Sequence, residues 1–218
     1  MKKNALLVLS GGMDSVTMLH EYAHEIAHAV TFNYGSNHNE REIACARLNC
    51  EQLGIPITVI DLAFIGQYFR SSLLDGADAI PEGDYAEDNI QSTVVPFRNG
   101  IMLSVAAGLA ESKGLETVML ANHAGDHVIY ADCRPEFVNA MDRAINEGTF
   151  AHISLIAPYT LLTKQQIASR GVAIGVDYSK TYSCYKGGEH HCGRCATCIE
   201  RREALSAAGA QDNTIYEE

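Results

Sequence analysis

The stretch Asn4-Ala5-Leu6-Leu7-Val8-Leu9-Ser10-Gly11-Gly12-Met13-Asp14-Ser15 decides the fold. A short apolar run that ends in Ser-Gly-Gly has the pattern of a buried strand feeding a tight turn. From Ser15 onward the apolar positions become Val16, Leu19, Tyr22, Ala23 and Ile26, which is helical spacing. A strand end, two glycines and a helix start therefore meet at one point. Unsatisfied backbone N–H groups and the helix dipole attract anions there, and glycines let a phosphate approach the main chain. Ser10 and Ser15 add hydroxyl donors. Asp14 repels phosphate, so its placement predicts a Mg²⁺ ligand that bridges to a nucleotide. The nucleotide-binding string is Leu9, Ser10, Gly11, Gly12, Met13, Asp14 and Ser15.

Working outward, Ala29–Tyr34 reads as a second strand, Asn39–Leu53 as a helix closed by Gly54, and 55–62 as a β-branched third strand. The order β-α-β-α-β with short connections implies parallel strands in an α/β doubly wound sheet. Residues 66–96 break the rhythm with Gly76, Pro81, Gly83 and a run of acids, and are predicted to form a surface excursion over the sheet edge. A helix at Arg98–Ser112, a strand at Thr117–Asn122, a helix around 134–147, a strand at 153–157 and a short helix at 163–170, capped by Thr163, complete the pattern.

Ligands of such sheets sit beyond the carboxyl ends of the strands. Arg98 and Asn99, at a helix start, can reach phosphate or the edge of a planar substrate there. Asn122, Asp126, Asp132 and Arg134 follow the fourth strand on the same face and offer donors and acceptors to a purine-like ring. Turn formation, with Pro135 opening a helix, accounts for the same residues equally well on spacing alone. Lys164 stands at the start of the last helix, where it could be an ordinary surface lysine or a charge stabiliser.

Seven cysteines divide unevenly. Cys45, Cys50 and Cys133 are scattered, whereas Cys184-x₇-Cys192-x₂-Cys195-x₂-Cys198 brings four thiolates within reach of one tetrahedral ion. An iron–sulfur cluster is the rival, because C-x₂-C-x₂-C also opens ferredoxin-type sites. No proline follows Cys198 and no second set of cysteines exists, so zinc is favoured. The scattered thiols, with no secretory pattern at the N-terminus, point to a reducing, cytoplasmic compartment. A formal charge of −11 argues against a broad electrostatic grip on nucleic acid. Apolar runs such as Ala5–Leu9 are too short to span a membrane. We expect residues 1–178 to form the nucleotide-binding domain and 179–218 a small zinc-binding region packed on it.

Ser10-Gly11-Gly12-Met13-Asp14-Ser15 resembles the PP-loop of the N-type ATP pyrophosphatases, whose fold is adenine-nucleotide α hydrolase-like. Phe32-Asn33-Tyr34-Gly35, Val95-Pro96 with Arg98-Asn99, Asp132–Phe137 and the cysteine tail through Cys198-x-x-Arg201 narrow the likeness. In this order they resemble the 7-cyano-7-deazaguanine synthases of queuosine biosynthesis, and His123–Ala131 departs from the family pattern. The resemblance implies an ATP-dependent ligase that activates 7-carboxy-7-deazaguanine, admits ammonia to give an amide, and dehydrates the amide to the nitrile in a second activation. It implies ATP, Mg²⁺ and Zn²⁺ as cofactors. Ser10, Asp14, Ser15, Arg98 and Lys164 would be the catalytic groups, and Arg98, Asn99, Asn122, Asp126, Asp132 and Arg134 would contact the substrate. A homodimer is the expected assembly. Two alternatives remain within this likeness: a PP-loop enzyme that thiolates tRNA, and a deazapurine-related enzyme recruited to modify another macromolecule. A zinc-ribbon binding module is a third reading, disfavoured by the acidity and the phosphate loop.

Overall fold

A computed structural model describes residues 3–74, 76, 79–83 and 91–217. Five parallel strands form one sheet in the order β3-β2-β1-β4-β5. They are β1 (Ala5–Val8), β2 (Ile26–Asn33), β3 (Ile57–Asp61), β4 (Thr117–Met119) and β5 (Ser154–Ile156). The longer helices are α1 (Met13–Glu21), α2 (Asn39–Leu53), α3 (Phe64–Tyr68), α4 (Arg98–Ser112), α5 (Pro135–Gly148), α6 (Lys164–Ala173) and α7 (Ala196–Ala207).

The unbroken apolar run of β1 follows from its central place, because a middle strand of a parallel sheet is covered on both faces. Alternate residues feed two separate cores. Ala5, Leu7 and Leu9 pack with Val16 and Leu19 of α1, Ala46 of α2, Ile167 of α6 and Leu205 of α7. Leu6, one residue away and pointing to the opposite face, packs with Leu103, Ala106 and Ala110 of α4 and with Val138 and Ile145 of α5. Burying each such leucine stabilises the fold by about 1.5–3 kcal/mol. Between β1 and its neighbours β2 and β4 the strand order reverses. A crevice beyond the carboxyl ends of β1 and β4 is the consequence.

The expected α/β class holds, with three local corrections. Helix α1 stops at Glu21 and Ile26 opens β2, where it pairs with Ala5. Its four-residue spacing from Tyr22 mimics a helix, but a fully buried Ile beside Ala5 satisfies the sheet instead. The excursion is anchored more deeply than a surface loop. Leu73 and Leu74 are buried in the α4-side core, and Ser36 bridges to Leu74. Residues 75, 77–78 and 84–90 of the predicted excursion lie outside the described residues. Helix α7 has no counterpart in the sequence reading. Its buried face, Thr197, Cys198, Arg201, Ala204 and Leu205, has helical spacing, but Thr and Arg at its centre disguise the stripe. The apolar helix α4 is a core helix, with Leu103, Ala106 and Ala110 fully covered.

Candidate active site

The phosphate loop is shaped by contacts from both sides. Gly11 has φ +92°, and a Cβ there would lie 2.1 Å from the Glu42 carbonyl oxygen of α2. Glycine is therefore obligatory at this position. From the other side the Tyr182 N–H donates to the Gly11 carbonyl at 3.1 Å. Gly12 caps α1 without a side-chain acceptor, so the N-terminal donors of the helix are left for a ligand. The Ser10 and Ser15 hydroxyls lie 3.0 Å apart, and the Gly11 and Gly12 N–H groups turn toward Ser15 Oγ (3.3 Å) and Ser10 Oγ (3.2 Å). These are weak, long bonds that an anion could replace.

Asp14 sits in the first turn of α1 and faces a cluster drawn from three other elements. Lys164 Nζ, at the first position of α6, is 3.2 Å from Asp14 Oδ2 and 3.0 Å from Glu200 Oε2 of α7. Thr163 and Gln166 close a capping box that fixes this helix start and aims Lys164 inward. His123 Nε2 lies 3.9 Å from Asp14, 3.6 Å from Asp126 and 4.0 Å from Glu200. Its Nδ1 accepts from the Gly125 N–H at 3.0 Å, which assigns the ring proton to Nε2, facing the carboxylates. Burial opposes ionisation of Asp14, but Lys164 and His123 outweigh it and hold the carboxyl below its ordinary range. Burial is the larger influence on Asp126, whose carboxyl is raised. Asp14 Oδ1 is buried with no hydrogen-bond partner among the described residues. An orphaned, ionised oxygen beside a phosphate loop fits a divalent cation of the oxygen-seeking class.

A second group lines the same cavity of about 220 Å³. Arg98 NH1 donates to Tyr34 Oη at 3.1 Å and stacks over that ring. Tyr34 Oη lies 3.4 Å from His38 Nε2, which is 3.7 Å from Glu42 Oε2. Asn39 holds this turn, accepting from the N–H groups of Tyr34 and Ser36 and donating to the Phe32 carbonyl. Burial, assisted by Arg98, lowers His38 to about 4, and burial raises Glu42 to about 8.

The structure brings most of the expected residues to one place. Leu9, Ser10, Gly12, Met13, Asp14, Ser15, Arg98, Asn99, Asn122, Asp126 and Lys164 line the cavity. Gly11, between Ser10 and Gly12, does not itself line it. Asp132 and Arg134 do not line it. Asp132 accepts from the Asn99 N–H at 2.8 Å and thereby caps α4, while Arg134 is exposed and donates to the His127 carbonyl. Asn122 is committed to the Cys133 carbonyl and to Thr160, so it shapes the wall more than it offers free groups. Sequence reasoning missed Glu42, His38, His123 and Glu200. The useful signals were a His and a Glu four residues apart at a helix start, and an acid two positions after the last cysteine.

Cys184, Cys192, Cys195 and Cys198 are all buried, with their sulfurs within 4.8 Å of one another. A tetrahedral zinc at about 2.3 Å from each sulfur needs S–S separations of about 3.8 Å. Backbone N–H groups of Lys186 and Cys192 point at Cys184 Sγ (3.4 and 3.3 Å), and those of Arg194 and Cys195 at Cys192 Sγ (3.4 and 3.3 Å). Such donors favour thiolates. Contacts with Cys184 and Cys198 hold the Cys195 thiol far below its usual range, while contacts among the sulfurs push Cys184 up to about 11 and also raise Cys198. Only a cation would let all four ionise together, so the set fits a metal such as zinc. The segment around it walls the cavity with Tyr182, Ser183, Tyr185, Thr197 and Glu200. Arg201 is completely buried and ties the Tyr178 carbonyl, Thr181, Ser183 and Thr214 together.

Residues 4–209 match the family model described as "Queuosine biosynthesis protein QueC". The chain is 56% identical over 216 residues to a Porphyromonas gingivalis protein named 7-cyano-7-deazaguanine synthase, covering 99% of this chain and 98% of that one. Proteins of the same name from Desulfotalea psychrophila (49% identical, covering 98% of both) and Methanoregula boonei (45%, covering 98% and 99%) are also similar. Among solved structures, an NMN synthetase from Francisella tularensis superposes with a TM-score of 0.53 at 14% identity, over 96% of this chain and 78% of that one. That likeness speaks for the fold alone. With a phosphate loop, a buried four-cysteine group and full-length relatives, the chain is an enzyme of the QueC family of queuosine biosynthesis.

Proposed function

We propose that this chain is an ATP-dependent ligase that converts 7-carboxy-7-deazaguanine and ammonia into 7-cyano-7-deazaguanine by way of the amide. The observation that carries this reading is the single cavity joining the phosphate loop to Arg98, Asn99, Asn122 and Asp126. One ring held in one place can then present first its acid oxygen and later its amide oxygen to the same phosphate site. A carboxylate oxygen is a poor leaving group, and activation by ATP converts the acid into a mixed carboxylic–phosphoric anhydride from which an amine can displace the phosphate.

Ser10, Ser15 and the N–H groups of Gly11 and Gly12 would hold phosphate oxygens, with Leu9 and Met13 shaping the loop. Lys164 and Arg98 would offset the negative charge that develops as the phosphoryl bond breaks. Asp14 would hold Mg²⁺, which when bound neutralises phosphate charge. Arg98, Asn99, Asn122 and Asp126 would meet the deazapurine. Asp132 would act one step removed, by fixing Asn99 at the start of α4. Arg134 would need to turn in from the surface to reach the ring. The cysteine group would hold zinc with no open position, a structural role that supports the cavity wall.

We further infer a division at residues 178 and 179, a homodimeric assembly, a cytoplasmic location, and no stable partner of nucleic acid or membrane. Incubation of the purified chain with the acid, ATP, Mg²⁺ and ammonium, followed by mass spectrometry, tests the reading. Nitrile, with amide accumulating first, is expected. Inertness toward this acid, or thiolation of tRNA in its place, would overturn it.

A further inference from the structure

Four carboxyl groups line the cavity, and they divide into two kinds. Asp14 and Glu200 pair with Lys164, and Asp126 accepts from the His123 main-chain N–H, so each has a bonded partner. Glu42 stands apart on α2. Its main chain abuts Gly11, which fixes its side chain beside the phosphate loop, and only 16% of that side chain is exposed. Among the described residues no hydrogen bond reaches its carboxyl, and the one nitrogen within ion-pairing distance is His38 Nε2, at 3.7 Å. His38 is itself buried and is held neutral by its surroundings. Arg98 faces the pair from α4 and engages Tyr34, while Cys45 lies one turn further along α2 and Tyr185 stacks on His38 from the cysteine segment. None of these supplies Glu42 with a bonded cation.

Ammonium is a cation, and its nitrogen has no free electron pair. A cavity that admits it beside Arg98 needs a carboxylate to which no cation is bonded, placed beside the phosphate loop. We propose that Glu42 is the base that deprotonates the incoming ammonium for attack on the activated carboxyl carbon. This rests on the ligase reading above. In the step, one N–H proton passes to the Glu42 carboxylate and frees the nitrogen electron pair. That pair forms the C–N bond, the C–O pair departs with the phosphoryl oxygen, and the surplus proton on the new amide nitrogen goes to solvent. Glu42 returns its proton to solvent before the next turnover.

Burial lifts this carboxyl to about 8, close to working pH, where a general base is both sufficiently ionised and sufficiently basic. His38, four residues earlier on the same face, is buried against this carboxyl at 3.7 Å.

The test compares Glu42→Gln with the parent chain, each supplied with the acid, ATP and Mg²⁺, and with either ammonium or hydroxylamine at pH 7.5. Hydroxylamine is already unprotonated there and needs no base. Amide formation from ammonium should fall tenfold or more in the variant, while hydroxamate formation should fall less than threefold. Equal losses with both nucleophiles would make Glu42 a structural or positioning residue, and equal rates would leave it without a role; either overturns the proposal. A parent chain that forms neither product would instead overturn the ligase reading on which it rests.

Discussion

Lys164 Nζ lies 3.2 Å from Asp14 Oδ2, so the start of the sixth helix is clamped to the first turn after the phosphate loop. The two residues are far apart in sequence and meet because α1 and α6 pack on the same face of the sheet. Lysine keeps Asp14 ionised while Glu200 shares its charge from the other side.

Lys164→Ala should therefore act on two quantities. Loss of a preorganised cation at the developing charge should lower kcat by about 10²–10³. Asp14, left with burial and without its strongest counter-charge, should titrate higher, so the acid limb of the pH profile should move upward. Steady-state rates between pH 5 and 9 check both. A variant with normal kcat and an unmoved acid limb would leave Lys164 without a role in the chemistry.

Gly11→Ala tests the loop itself. The new methyl would have to occupy space 2.1 Å from a main-chain oxygen of α2, in a backbone region that side chains rarely adopt. Because helix α2 cannot yield without disturbing Ala46 and the core, we expect destabilisation of more than about 2 kcal/mol together with loss of nucleotide binding. Chemical denaturation and a nucleotide-binding titration measure the two effects. Ser10→Ala should differ, abolishing ATP turnover while leaving the circular dichroism and melting temperature of the parent.

How much of this was legible in the sequence varied with the kind of interaction. The phosphate loop was readable because its demands are local: a strand, a glycine at positive φ and a helix start occupy a few consecutive residues. Four cysteines at short spacings were readable for the same reason. Glu200 and His123 were not, since their place beside Asp14 depends on packing between α7, the loop after β4 and α1. Glu42 and His38 look like the polar face of an exposed helix, and only the closeness of α2 to Gly11 turns them inward. Helix α7 was hidden because its innermost residue is Arg201, whose charge reads as surface but whose hydrogen bonds permit complete burial.

Glu42 also makes a prediction about stability. Its carboxyl is raised from an ordinary 4.5 to about 8 in the folded chain, so the unfolded chain loses that proton more readily. The contribution to stability is fully present below about pH 4.5 and is lost as pH rises through about 8. Glu42→Gln removes the group that must ionise. Its melting temperature should match the parent near pH 5 and exceed it at pH 9 by roughly 5 °C. Calorimetry at the two pH values decides the matter, and a difference independent of pH would argue against the raised titration of this carboxyl.

The last prediction concerns the metal. Cys184, Cys192, Cys195 and Cys198 close around a point that lies outside the cavity, yet the chain they organise supplies Tyr182, Ser183, Tyr185, Thr197 and Glu200 to its wall. The Tyr182 N–H bonds to the Gly11 carbonyl, which couples the cysteine segment directly to the phosphate loop. A structural ion should therefore matter to both stability and nucleotide affinity without taking part in chemistry. Elemental analysis should find about one zinc per chain. Cys195→Ser should release it, lower the melting temperature by 10 °C or more and weaken ATP binding, because the Gly11 contact loosens when the segment does. Arg201→Met, which leaves the four sulfurs untouched but removes the bonds to Tyr178, Thr181 and Thr214, should reproduce the loss of stability while zinc is retained. If Cys195→Ser lost its zinc yet bound ATP with parental affinity, the coupling through Tyr182 would be refuted. Iron with acid-labile sulfide in place of zinc would instead identify the four-cysteine group as a cluster site.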